Sequence, residues 1–214
     1  MELIKAINTR RSVRKFSTKE ISHKDLKKII NSAIQAPSAC DIQGWKFIII
    51  TDQNVKDKIV ERGGTSFIQN APLGILVLYE NLTDNFEYND HIQSAAAAIQ
   101  NMLLTAHSLG IGGCWVCHLP RKQELRNLLQ IPKSYDPIAY ILLGYSETLP
   151  SKKQRKYQFS EVTSYNKFNF REFPRANLKL AIKRIARKAY YLFPIFVRKS
   201  LNKRMDDKFE RRFE

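Results

Sequence analysis

Cysteine, glycine, proline and acidic residues are all scarce in this sequence. Its 214 residues include only three cysteines, too few for a disulfide framework, so free thiols in a reducing compartment are expected. Eight glycines and eight prolines exclude a collagen-like or low-complexity chain. No uncharged apolar run approaches the roughly 20 residues that cross a bilayer, so no membrane span is predicted.

A secretory signal is also missing. The opening residues, MELIKAINTRRSVRKF, contain no apolar stretch behind their basic side chains, as an exported chain would need. We therefore predict a cytoplasmic protein.

The sequence does contain enough apolar material for a core. Hydrophobic residues make up 43% of the chain and include 12 Phe and 9 Tyr, which excludes a wholly disordered protein. The length fits one domain with an appendage, at about 150 residues per domain.

Positive charge is in excess and unevenly distributed. The chain has 36 Lys and Arg against 20 Asp and Glu, a formal charge of +16, and residues 171–214 alone hold 14 basic and five acidic residues. Two classes of function fit this pattern. One is a soluble enzyme with a basic appendage, and the other is a protein that binds polyanions such as nucleic acid or an acidic membrane surface.

Hydrophobic periodicity and cap residues predict the helices and strands. Ser22 is a good N-cap, and the apolar residues after it recur at helical spacing until Pro37, while Gly110 suits a helix C-cap. The predicted helices are Glu2–Asn8, the segment between Ser22 and Pro37, Asn54–Arg62, Asp90–Leu109, Lys122–Leu129 and Asn177–Tyr191. The predicted strands are Trp45–Thr51, Leu73–Tyr79 and Ile138–Gly144, all buried, with one short strand within residues 160–166.

Two of the predicted helices differ in their surroundings. Asp90–Leu109 is Ala-rich and almost uncharged, which predicts burial on all sides or packing against another subunit. Asn177–Tyr191 is a basic amphipathic helix, and two interpretations stay open for it: docking on the main domain or a partner subunit, or binding a membrane surface or other polyanion. Strands separated by helices without regular βαβ repetition predict an α/β or α+β sandwich.

Three segments carry residue types suited to ligand binding. Arg10 to Arg14 place three guanidiniums and the Ser12 hydroxyl within five residues, a combination that suits phosphate. Ala36 to Trp45 is a polar loop that leads from a helix stop into a buried strand, where loops commonly hold ligands. Leu109 to His118 follows the Ala-rich helix directly.

The third segment, Leu109 to His118, contains a motif that matches several kinds of site. Cys114-Trp-Val-Cys117-His118 matches the signature of c-type haem attachment and half of a zinc site. The other cysteine and histidines are scattered without ligand spacing, and the segment is strongly apolar. We therefore expect neither haem nor a metal ion here, and interpret the pair as two buried thiols on a strand.

Taken together and in order, these segments resemble the nitroreductase family of FMN-dependent oxidoreductases. The family pattern R-[RH]-S-x-[RK]-x-[FY] is matched by residues 10–16, and A-P-S-x-x-N-x-Q-P-W-x-F by residues 36–47 with two departures. The pattern L-G-[LIV]-G-x-x-W is matched by residues 109–115. A strand ending in Leu-Gly-Tyr and a basic segment then follow, from Ile141 to Arg155.

The resemblance implies a fold and an activity. The fold is an α+β sandwich with a central, mostly antiparallel sheet flanked by helices, assembled as an intertwined homodimer with FMN at the interface. The activity is transfer of hydride from NADH or NADPH to FMN and then to a nitroaromatic, quinone or other small acceptor in a ping-pong cycle, with no catalytic side chain. The alternatives are a flavin-dependent dehalogenase or dehydrogenase of the same fold, or a non-enzymatic module that binds polyanions through its basic tail.

The resemblance also assigns residues to the cofactor. Arg10, Ser12 and the adjacent Arg11 would hold the FMN phosphate, and Arg14 the N1/O2 edge of the flavin. The facing subunit would supply the loop of Pro37, Ser38, Asp41 and Gln43. The flavin ring would lie along a segment comprising Trp115, Val116, Cys117 and His118, and a late phosphate pair would be Lys153 and Arg155.

The match covers about residues 1–165, which we predict as the FMN-binding domain, and leaves residues 166–214 as a basic, partly helical extension. Asp41 stands where the family has Asn, and Gly44 where it has Pro. For the extension we expect an anionic membrane surface or a protein as partner. Nucleic acid is not expected, because the extension has no base-stacking platform.

Overall fold

The computed structural model describes residues 1–83, 87–148, 154–171 and 178–201. The chain divides into two compact units, one formed by Met1–Pro150 with Ile195–Glu214 and the other by Ser151–Pro194. The boundary predicted near residue 165 falls inside the second unit and stays a prediction about where the family-like part ends.

A four-stranded antiparallel sheet forms the centre of the first unit. Its strands are β1 (Trp45–Ile50), β2 (Leu73–Glu80), β3 (Gly112–Val116) and β4 (Tyr135–Gly144), in the order β1-β2-β4-β3. The pairings Trp45 with Tyr79, Leu73 with Leu143, and Gly113 with Leu143 fix the register. This is the predicted α+β fold with an antiparallel sheet.

The predicted helices are confirmed with small shifts of their ends. In the first unit they are α1 (Leu3–Thr9), α2 (His23–Ala33), α3 (Gln53–Glu61), α4 (Asp90–Ser108) and α5 (Lys122–Leu129), with 3₁₀ turns at Ala39–Asp41 and Ser66–Ile68. The second unit contains α6 (Phe159–Val162) and α7 (Leu178–Tyr190). Among the described residues, no helix is both long enough and apolar enough to cross a membrane.

The predicted caps are formed as expected. The Asp25 N–H donates to Ser22 Oγ over 3.1 Å at the start of α2. At the end of α4, Gly110 has a φ of 76° and its N–H donates to the His107 carbonyl, while the Ile111 N–H donates to the Ala106 carbonyl. This is a Schellman motif, which turns the chain from α4 directly into β3.

Both faces of the sheet are covered, so β2 and β4 are buried almost throughout. On one face, Ile75, Val77 and Ile141 pack with α2 and α4. On the other, Leu76 and Leu142 pack among side chains from α3, α5 and the Ser66–Ile68 turn. An antiparallel sheet commonly leaves one face in water, but here each face carries its own apolar cluster.

Two sequence predictions are wrong in detail. The run WKFIII predicted a strand buried on both faces, but β1 is at the edge of the sheet and exposes Lys46 and Ile49. The strand predicted within residues 160–166 is absent. Phe159–Val162 forms a helical turn instead, because the Gln158 N–H donates to the Glu161 carboxylate in a capping interaction.

The chain returns to the first unit after residue 194. Residues 195–201 are helical, and Arg198 is only 4% exposed. Its guanidinium donates to the Glu124 carboxylate on α5 and to the Arg62 carbonyl after α3. Burial alone would raise the pKa of Glu124, but the hydrogen bonds from Arg198 and from the Arg121 N–H outweigh burial and lower that pKa.

Tyr140 on β4 offers a test of core packing. Its ring fits because Gly74 on the neighbouring strand β2 has no side chain, and no described residue hydrogen-bonds its buried Oη. A buried hydroxyl without a partner costs free energy, so Tyr140→Phe should raise the free energy of unfolding by about 1 kcal/mol in a urea titration. Gly74→Ala should lower it by about 2 kcal/mol, since its Cβ would overlap the phenol. A Tyr140→Phe variant that loses stability would contradict this description.

The Arg198–Glu124 pair predicts a second effect on stability. Glu124→Gln should lower the free energy of unfolding by about 3 kcal/mol at pH 7, because it leaves a buried guanidinium without its counter-charge. Glu61→Gln is the matched control, since its partner Lys199 is exposed, and should cost less than about 1 kcal/mol.

The effect should also depend on pH. A carboxyl whose pKa is lowered by folding stabilises the protein above its ordinary pKa, and this contribution disappears as the pH falls. The difference between wild type and Glu124→Gln should therefore shrink below about pH 4. A constant difference across the acid range would argue against an ionised Glu124 in the pair.

Candidate active site

The arginine segment is held against the sheet by Val13. The Val13 N–H donates to the Gly113 carbonyl over 3.1 Å, and Ser12 forms a parallel bridge with Gly113. The Val13 side chain is buried against Gly112, where a Cβ would lie 2.7 Å from Val13 Cγ2. Gly112 therefore allows the arginine segment to lie beside β3.

Two of the arginines have defined contacts. Arg11 donates through Nη1 to the carbonyls of Asn8 and Arg10, over 2.9 and 2.7 Å. Its Nε is buried, and no described residue accepts a hydrogen bond from it. Arg14 places its guanidinium 5.9 Å from the centre of the Phe67 ring, a cation–π contact.

The cluster creates a positive field that acts on nearby groups. Burial lowers the pKa of His107, and the charges of Arg10 and Arg11 lower it further, so its imidazole is neutral at pH 7. His107 Nε2 lies 2.8 Å from Thr9 Oγ1, whose hydroxyl donates to the Lys5 carbonyl. Such a concentration of cationic donors suits a phosphate or another anion.

The end of β3 and the residues after it expose several side chains. Trp115 is 38% exposed, Val116 is buried, and Cys117 and His118 are exposed. The prediction of two buried thiols is thus correct for Cys114 but wrong for Cys117. The strand ends at Val116, and the turn that follows is fixed by the Thr65 N–H, which donates to the His118 carbonyl.

The loop after α2 is organised around Ser38. Ser38 Oγ lies 2.7 Å from Tyr79 Oη and accepts a hydrogen bond from the Gln43 N–H over 2.9 Å. The Ala39 N–H donates to Ser94 Oγ on α4. Tyr79 on β2 therefore contacts the Ser38 side chain, and Ser94 on α4 contacts the loop backbone.

Backbone strain is concentrated in the same loop. Cys40, Asp41 and Gln43 have φ values of 49°, 54° and 50°, in the left-handed region that non-glycine residues rarely adopt. The amide of Gln43 donates to the Asp41 carboxylate over 2.6 Å. Pro37, Asp41 and Gln43 are all exposed. Strain of this kind is common where a loop is pre-shaped for a ligand.

Gly44, one of the two departures from the family pattern, has a packing explanation. A Cβ at this position would lie 2.9 Å from Glu80 Cβ and 3.0 Å from Tyr79 Cε1. The family proline would bring such a carbon against the ring that hydrogen-bonds Ser38. Glycine leaves room for Tyr79 to reach the loop.

The two halves of the predicted site lie at opposite ends of α4 in one chain. The Ser38 loop contacts Ser94 near the start of the helix, and the arginine segment lies near His107 at its end. Thirteen residues of helix separate these contacts by about 20 Å. One chain therefore brings the arginine segment and β3 together, but not the Ser38 loop.

The late phosphate pair predicted from the sequence belongs to the second unit of the chain. Arg155 belongs to the second unit and is exposed, and Lys153 lies outside the described residues. Within the described ranges, no three His, Cys, Asp or Glu side chains cluster as metal ligands.

Comparison with known proteins identifies the family. The model of the Nitroreductase family matches residues 7–63 and 59–145, well over half of the chain. The chain belongs to the nitroreductase family. Both the arginine segment and the β3 segment lie within the matched residues.

Individual nitroreductase-family relatives agree with this placement. A protein of Archaeoglobus fulgidus with the provisional name NADH dehydrogenase/NAD(P)H nitroreductase is 36% identical over 148 residues, covering 67% of this chain and 85% of its own. The FMN reductase [NAD(P)H] of Bacillus subtilis is 28% identical, covering 72% and 70%. An FMN-dependent nitroreductase structure from Clostridium difficile R20291 has a TM-score of 0.61 and 30% identity, covering 79% of this chain and 99% of that one.

Several residues that contact the candidate site were not predicted from the sequence. Phe67, Tyr79, Ser94 and His107 support the arginine segment and the Ser38 loop from other elements. No local motif marks them, because their partners are distant along the chain. Only the polar Ser94 in an otherwise Ala-rich helix was a visible signal.

Thiol labelling tests the geometry of β3. Cys114 is 1% exposed, and burial raises its pKa to about 11, whereas Cys40 and Cys117 are exposed. Folded protein free of flavin should therefore show, at pH 8, two fast thiols and a third that reacts only in denaturant. Cys40→Ser and Cys117→Ser should each remove one fast thiol. Three fast thiols in the folded protein would contradict the burial of Cys114.

Proposed function

We propose that this nitroreductase-family chain is an FMN-dependent oxidoreductase that uses NADH or NADPH to reduce a small acceptor such as a nitroaromatic or a quinone. The arginine segment fixed beside β3 carries the proposal. The names of the relatives, which include FMN reductase and NAD(P)H nitroreductase, support the same cofactor and donor.

The described residues fit FMN at its charged end. Arg11 is fixed by two backbone carbonyls and keeps a buried Nε–H with no described acceptor, and Ser12 adds an exposed hydroxyl. With Arg10, these groups would hold the phosphate. A flexible cation would lose more entropy on binding than a guanidinium held in advance.

The flavin ring is assigned to Arg14 and to the segment Trp115–His118. When bound, FMN would accept hydride from NAD(P)H and pass it to the acceptor. Arg14, held over Phe67, would place a positive charge near the edge of the ring that becomes electron-rich. No side-chain acid or base is required, and the two substrates would use the same face in turn.

A second copy of the chain would complete the site. The Ser38 loop lies at the other end of α4 from the arginine segment, so we assign the loop to the flavin held by the partner. Three large apolar side chains on α1, Leu3, Ile4 and Ile7, are exposed in the single chain, which supports a homodimer. Lys153 and Arg155 stay candidates for a further phosphate contact.

Flavin binding by the purified protein is the first test. We expect a yellow protein whose flavin absorbance is bleached by NADH or NADPH and restored by an acceptor. Initial rates at several acceptor concentrations should give parallel double-reciprocal lines, as expected for a ping-pong cycle. Colourless protein that does not take up added FMN would overturn the proposal, and a panel of acceptors would identify the substrate class.

Substitution of Arg11 tests the phosphate assignment. Arg11→Gln should weaken FMN binding by about tenfold to a hundredfold, because a charge-assisted hydrogen bond contributes about 1.5–3 kcal/mol. Riboflavin, which lacks the phosphate, should bind wild type and variant equally. Lys24→Gln on the exposed face of α2 is the control and should leave FMN affinity unchanged. Equal loss of riboflavin affinity would place Arg11 away from the phosphate.

A further inference from the structure

The second unit exposes an unusual amount of apolar surface. None of residues 154–171, 178 and 180–194 is buried. Yet the segment around α6 alone exposes four aromatic side chains, Tyr157, Phe159, Tyr165 and Phe168. Apolar surface on this scale marks a contact with a partner or a membrane.

The helix α7 shows the same exposure on two chemically distinct faces. One face carries Leu178, Ile182 and Ile185, which are 78%, 57% and 67% exposed. The opposite face carries four exposed cations, Lys183, Arg184, Arg187 and Lys188. Within the described residues, this apolar face is therefore exposed.

More aromatic and apolar residues lie at the end of α7 and directly after it. Tyr190 and Tyr191 form an edge-to-face pair with ring centres 5.1 Å apart. Leu192 and Phe193 come next and are both exposed. Aromatic side chains of this kind concentrate at the boundary between lipid and water.

Charge decides which partner fits. Residues 178–194 contain no acidic residue, so the basic face repels a second copy of itself and attracts an anionic surface. Nucleic acid would pair its phosphates with the cations but would not cover the exposed leucine and isoleucines. A membrane with acidic phospholipids offers phosphates for the cationic face and acyl chains for the apolar face.

We propose that residues 178–193 bind the surface of an anionic phospholipid membrane. The apolar face of α7 would enter the boundary between headgroups and acyl chains, and its cations would contact lipid phosphates. At 1.5 Å per residue, the 13 residues of α7 measure about 20 Å, shorter than the roughly 30 Å hydrocarbon core, so the helix lies along the surface.

Flotation of the full-length protein with vesicles tests the proposal. Vesicles of phosphatidylcholine with about one third phosphatidylglycerol should carry the protein upward, whereas pure phosphatidylcholine vesicles should carry little. Raising the salt should weaken the binding without abolishing it, since the apolar contact does not depend on charge.

Two matched pairs of variants separate α7 from the general positive charge of the chain. Lys183→Gln with Arg187→Gln should weaken binding about tenfold or more. Lys24→Gln with Lys27→Gln removes the same charge from exposed positions of α2 and should weaken it less than about twofold. Ile185→Gln should weaken binding strongly, and Leu180→Gln, on the basic side of the helical wheel, should have a smaller effect.

Three outcomes would overturn the proposal. One is equal binding to neutral and anionic vesicles. Another is vesicle binding that Ile185→Gln leaves unchanged, together with DNA binding of equal affinity. That result would indicate a general polyanion site. The last is that the wild-type protein does not bind vesicles and that Ile185→Gln elutes as a smaller oligomer in size-exclusion chromatography. That result would assign the apolar face to a second copy of the chain. Thermal melting of each variant shows that it is folded. Flavin binding tests the proposed FMN site separately from the membrane proposal.

Discussion

The packing of α4 against the sheet determines where the arginine segment and the Ser38 loop lie in the chain. Its small side chains let the helix lie close to β2, β3 and β4. The arginine segment reaches one end through Thr9 and His107, and the Ser38 loop reaches the other through Ser94. The length of one helix therefore keeps these two segments about 20 Å apart in a single chain.

Each of the two segments is fixed by a different set of contacts. The arginine segment is attached through Val13, whose backbone pairs with β3 and whose side chain fills the space that Gly112 leaves empty. The Ser38 loop instead holds a strained backbone through hydrogen bonds to Tyr79 and Ser94. Fixed cations suit a phosphate of constant shape, and a pre-shaped loop suits a planar ring.

The sequence was sufficient for features that depend on neighbouring residues. Ser22 and Gly110 marked helix ends, and the ordered motifs indicated the family, because caps and turns require particular residues locally. The sequence was insufficient where partners are far apart. Nothing in WKFIII shows that β1 is an edge strand, and nothing near Arg198 shows that its partner is Glu124. Cys117 was misplaced because its exposure depends on where β3 ends.

The Arg198 contact also changes what kind of segment the second unit is. The chain leaves the first unit after Pro150 and rejoins it at Ile195, so Ser151–Pro194 is an insertion held at both ends rather than a free tail. A loop closed in this way can vary in length at little entropic cost. A change in the length of this insertion should therefore leave the sheet intact, whereas a stop codon near residue 165 would leave Glu124 without its guanidinium.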